Sequence, residues 1–97
     1  MKLLDELQEV GLEPNLWRQL AIITYELGDL AKASVYGHLN ADDADPAYRA
    51  EARIALSDII IQTFILAEYL DVDWPELERD GVERFHERMA KCKAGVI

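Results

Sequence analysis

Three carboxylates stand where they could act together: Glu26 and Asp29, three residues apart in the segment YELGDLAKA (25–33), and Asp58 in the run ARIALSDIIIQTFILAEYL (52–70). Two acids three apart on one helix, facing a third on a neighbouring helix, can converge oxygen ligands on a hard cation such as magnesium. Such a cation keeps several waters, bridges phosphate oxygens, neutralises developing charge and lowers the pKa of a bound water. Asp58 needs a reason to stand in an apolar helix, because burying an ionised carboxylate costs on the order of several kcal/mol unless it is paired. Three partners are open to it: an arginine in a buried ion pair, a polar network with Gln62, or a cation shared with Glu26 and Asp29. No Ser-His-Asp or Cys-His arrangement competes, and His38 and His86 read as ordinary surface or helix residues. Asn40, Asp42 and Glu51 fall at three positions of a calcium loop, but the central glycine is missing and Pro46 starts a helix inside it, so that reading fails.

The elements that must position these acids are helical. Leu3, Leu4, Leu7 and Val10 recur at helical spacing until Gly11, which offers a left-handed stop. Glu13, Pro14 and Asn15 connect to a long second helix carrying Leu16, Leu20, Ile23, Leu27 and Leu30 as far as Gly37. Glu26 and Asp29 border its apolar stripe, and Gly28 between them suggests close approach of a backbone or a ligand, since glycine costs about 1 kcal/mol in a helix interior. HLNADDAD (38–45) is a polar loop whose last residue, Asp45, caps a third helix beginning at Pro46 and ending near Leu70. Glu51, Ala55, Asp58 and Gln62 share one stripe of that helix. Ile59, Ile60, Ile61, Phe64, Ile65 and Leu66 cover most of the rest, more apolar surface than one small domain can bury, and self-association is the inference. Asp73 and Glu76 form the pattern of a capping box for a fourth helix. Leu77, Val82, Phe85, Met89 and Cys92 give that helix an apolar stripe, with Arg79, Arg84, Arg88, Lys91 and Lys93 around it. No segment alternates with a period of two for long enough to read as a strand.

The expected architecture is therefore one all-α domain over residues 1–97, a four-helix-type bundle completed by oligomerisation. Nineteen acids against ten bases give a net charge of −9, and no basic stripe is present to meet duplex nucleic acid. One cysteine, Cys92, excludes an internal disulfide and points to a reducing compartment. Asp5 and Glu6 interrupt what would be the apolar part of a signal peptide, and no apolar run spans a bilayer. A cytoplasmic protein without a membrane partner is expected.

YELGDLAKA, then ALSDIIIQTFILAEYLDVDWPEL and GVERFHERM, resemble the all-alpha nucleoside triphosphate pyrophosphohydrolases of the MazG-like superfamily over roughly residues 16–89. Those proteins carry Glu-x-x-Glu on one helix and Glu-x-x-Asp on the next, which together hold magnesium. The resemblance implies hydrolysis of a nucleoside triphosphate to monophosphate and pyrophosphate by a homodimer or homotetramer, with magnesium or manganese as cofactor. Glu26 and Asp29 match the first motif, with Asp replacing its second Glu, and Asp58 matches the last acid of the second. These three are the candidate catalytic and metal residues. Ala55 stands where the second motif begins with Glu, which removes a charged ligand, and Glu51, one turn earlier, is a further candidate ligand. In the same frame Arg84, Arg88 and Lys91 are candidate phosphate contacts, set against a reading as solvent-facing charges paired with Glu83 and Glu87.

Two other functions fit the same residues. Loss of the Glu at position 55 suits a catalytically impaired relative that binds nucleotide or regulates. A purely structural oligomerisation module, with Asp58 as a buried specificity residue, needs no cation at all.

Overall fold

The computed structural model describes residues 2–13 and 15–95; Pro14, expected in the first connection, lies outside them. Four helices follow one another: α1 (Leu3–Glu9), α2 (Leu16–Tyr36), α3 (Pro46–Tyr69) and α4 (Trp74–Lys93). No strand occurs among the described residues.

Local chemistry sets most of the boundaries. Gly11 takes the left-handed conformation at φ 79° and stops α1. Asn15 caps α2, its Oδ1 accepting from the Arg18 N–H at 3.1 Å, and Asp45 caps α3 by accepting from Ala47 N–H at 2.9 Å. The expected Asp73–Glu76 capping box does not form: Asp73 is the N-cap of α4, yet its side chain accepts no capping hydrogen bond. Proline within the first turn and the acid at Glu76 suffice to start that helix. The start of α1 is held from far away instead, by the Glu68 carboxylate of α3, which accepts from Leu3 N–H at 3.1 Å and Leu4 N–H at 3.0 Å.

The main packing is an antiparallel hairpin of α2 on α3, with α1 laid against α3. Small side chains are buried on both helices, Ala33 of α2 and Ala52 and Ala55 of α3. Near the loop the helices meet so closely that a Cβ on Gly37 would overlap Tyr48 Cβ and the Ala33 carbonyl. Further along, Ile65 and Ala67 are buried, and Gln19 and Gln62 place amide oxygens in the seam with no hydrogen-bond partner among the described residues.

Helix α4 stands apart, joined to α3 by the Phe64–Trp74 ring contact at 5.2 Å between centroids, with no extended packing on another helix. The radius of gyration is 16.9 Å, against roughly 12.5 Å for a compact chain of this length. Of the apolar residues read from the sequence, Ile60 and Ile61 stay exposed, beside Ile54 and Leu56, whereas Ile65 is buried and Ile59, Phe64 and Leu66 are partly covered. No helix among the described residues is long and apolar enough to cross a membrane.

Candidate functional site

The α2–α3 hairpin brings the sequence-derived acids to one place. Glu26, Asp29, Glu51 and Asp58 line a cavity of about 330 Å³ between the two helices, together with Lys32, Ile54 and Ala55. Glu26 and Asp29 project from α2; Glu51, Ala55 and Asp58 come from one stripe of α3, at intervals of four and three residues that keep them on one face.

Burial differs from the expectation for Asp58. Its carboxylate is exposed at the cavity, as are Asp29 and Glu51, whereas Glu26 is half-buried. The apolar run around Asp58 overstates its burial because much of that run also faces outward. Asp58 is therefore not a buried charge within the single chain, and an ion pair to an arginine is not required to hold it.

Glu26 shows the cost of assembling like charges. Lost hydration, then the negative charges of Asp58 and Asp29 and a hydrogen bond to the Asp58 side chain, push its carboxyl above the ordinary glutamate value. Two carboxylates close enough to share a proton behave this way until a cation or another positive group takes the proton's place.

Among the described residues, no three His, Cys, Asp or Glu side chains converge tightly enough to hold a metal ion as they stand. Ala55, 2% exposed, offers no oxygen at the point where the resemblance implies a Glu. The donors that are present, oxygen only and around one cavity, match a hard divalent cation in chemical type.

The basic residues fall elsewhere. Arg84 and Arg88 line a separate groove of about 460 Å³ on α4, with Leu77, Asp80, Gly81 and Phe85, and Lys91 lies a turn beyond on the same helix. The single chain does not bring them to the acid cavity. Lys32 is there instead, a residue the sequence reading passed over although it stands near the end of the YELGDLAKA segment, three positions after Asp29. No hydroxyl nucleophile competes: Ser57, beside Asp58, donates to the Arg53 carbonyl at 3.0 Å, and Ser34 and Thr63 bond to their own helices in the same way.

No family model matches the chain, and no curated protein or solved structure matches it either.

Proposed function

We propose that the α2–α3 cavity is a magnesium or manganese site for a nucleoside triphosphate, which the protein hydrolyses to the monophosphate and pyrophosphate as a homo-oligomer. The observation that carries this reading is the shared cavity of Glu26, Asp29, Glu51 and Asp58, where lost hydration and the neighbouring acids hold the Glu26 carboxyl above the ordinary glutamate value. The resemblance of the same residues to the MazG-like pattern supports it.

In this reading Glu26, Asp29 and Asp58 hold the cation and Glu51 is the acid nearest the place vacated at Ala55. Exposed carboxylates change rotamer at little cost, so Asp29, Glu51 and Asp58 can turn inward once a positive charge is there to attract them. A bound divalent cation supplies charge neutralisation at the phosphates and a more acidic water. The chain's own residues do the rest: Lys32 offers an ammonium to phosphate oxygens, and Ile54 gives the cavity an apolar wall.

The test is pyrophosphate release from a panel of common and modified triphosphates with magnesium or manganese, alongside Asp58→Ala. Turnover above that control supports hydrolysis; none across the panel with either metal removes it.

Ala55 favours a second reading, a nucleotide binder without turnover, because a buried methyl group replaces an acidic ligand. Nucleotide with magnesium would then raise the melting temperature while remaining intact. A purely structural module predicts no Asp58-dependent response to magnesium, which calorimetric titration measures directly.

A further inference from the structure

A groove of about 790 Å³, larger than the acid cavity, opens where the start of α1, the end of α3 and the start of α4 come together. Phe64 and Ala67 of α3, Val72 of the connection, and Trp74 and Pro75 of α4 give it an apolar lining. At about 100° per residue, Phe64 and Ala67 lie about 120° and 180° around α3 from Asp58, so the groove opens on another side of that helix from the acid cavity. The proposed hydrolysis makes no use of it.

Two aromatic rings set what the groove can hold. Phe64 and Trp74 meet at a tilt of 43°, with centroids 5.2 Å apart. The indole N–H of Trp74 donates to the Glu78 carboxylate, so the one polar group of that ring is already engaged. What Trp74 presents to a ligand is apolar surface and the negative face of its π system. A group with an apolar body and a positive charge suits both.

Charge points the same way. Asp5, Glu68, Asp71 and Asp73 stand around the groove against a single ammonium, that of Lys2. The first turns of α1 and α4 add no more than about half a positive charge each, so the balance is about −2. Glu68 is occupied by the Leu3 and Leu4 amides. Asp73 is not: its side chain accepts no capping hydrogen bond from α4, which leaves the carboxylate for a cation from outside. An anion would be repelled by this surplus, and a hydrated metal ion gains little from an aromatic lining. The combination selects an organic cation.

We propose that this groove binds a small organic cation, an ammonium carrying an aromatic or other apolar body, with Phe64 and Trp74 receiving the body and Asp71 and Asp73 the charge. Its volume falls in the range of small-molecule sites, roughly 300–1,000 Å³. The site is separate from the acid cavity and stands whether or not that cavity turns over nucleotide.

Trp74 reports on the groove directly. Trp17 is 77% exposed and lies on α2, and Trp17→Phe leaves Trp74 as the sole tryptophan. Titration of that chain with 2-phenylethylammonium is expected to give a saturable change in fluorescence. Two controls separate the parts of the ligand: 2-phenylethanol has the body without the charge, and magnesium has charge without the body. Each is expected to bind roughly tenfold or more weakly than the amine. Asp71→Asn together with Asp73→Asn is expected to weaken the amine roughly tenfold. Asparagine tolerates the left-handed backbone of position 71, at φ 56°, and caps helices as well as aspartate, so the helical circular dichroism should be retained. Asp58→Ala is expected to leave amine affinity unchanged. The proposal is overturned by the absence of a saturable response, by equal binding of the alcohol or of magnesium, by undiminished affinity in the double asparagine chain, or by loss of binding in Asp58→Ala. A lysine–leucine peptide that saturates the signal where the amine does not would make the groove a protein-docking surface and overturn it too. Pyrophosphate release is not a readout here, so failure of the hydrolase reading leaves these outcomes distinct.

Discussion

Restoring an acid at position 55 probes the cation reading where the site is weakest. Ala55 lies four residues after Glu51 and three before Asp58, so Ala55→Glu creates two like-charge pairs at helical spacing, each costing about 0.2–0.5 kcal/mol. Repulsion across the seam from Glu26 and Asp29, partly screened by solvent, adds on the order of 1 kcal/mol. Because Ala55 is 2% exposed, volume and desolvation add to this, and without a divalent cation the variant should lose at least about 1.5–2 kcal/mol, which lowers the melting temperature of a domain this size by roughly 6 °C or more. With a cation the sign reverses. Magnesium at a hundred times its dissociation constant stabilises the folded state by about 2.7 kcal/mol, more than the repulsion it removes. The assay is a pair of thermal melts at one fixed protein concentration, in chelator and in magnesium, for wild type and variant. The expected result is a large deficit in chelator that closes or inverts in magnesium. An equal deficit in both conditions refutes the reasoning, because the new carboxylate would then face no cation.

Three further outcomes follow from particular contacts. Glu26→Gln should flatten the pH dependence of stability: with a folded value above the unfolded one of about 4.3, wild-type Glu26 binds its proton more tightly when folded, so stability falls as pH rises from there through the raised value. Urea titrations across that window, in chelator, should show the wild-type slope and its loss in the variant. Gly37→Ala should cost about 1–3 kcal/mol by chemical denaturation, because a Cβ there overlaps both Tyr48 Cβ and the Ala33 carbonyl; adding Tyr48→Gly should restore only part of the loss, since the backbone carbonyl stays. Glu68→Ala should cost about 1–2 kcal/mol and abolish exchange protection at the Leu3 and Leu4 amides, since α1 has seven residues and cannot persist undocked.

Helix positions are legible from local signals, although the local Asp73–Glu76 pattern marks where α4 starts without forming its capping box. The glycine stop after α1, the Asp45 cap with Pro46 behind it and the stripe carrying Glu51, Ala55 and Asp58 all depend on residues within a turn or two of each other. What escapes depends on distance along the chain. The cap of α1 comes from Glu68, more than sixty residues later, and no local pattern announces it. A helix apolar on nearly every side implies a buried Asp58, but a helix wheel cannot say which sides the chain itself covers. Resemblance puts Arg84, Arg88 and Lys91 near the acids, whereas α4 carries them away from α2.

The tight contact of Gly37 with Tyr48 sets a common origin for two rulers. From that point the chain runs back eleven residues along α2 to Glu26 and forward ten along α3 to Asp58. At 1.5 Å per residue those paths are about 16 and 15 Å, so the two carboxylates arrive at the same height in the hairpin. A slip of one turn would part the acids by about 5 Å. The bare α-carbon at Gly37 is thus what fixes the meeting point of charges at the other end of the measure.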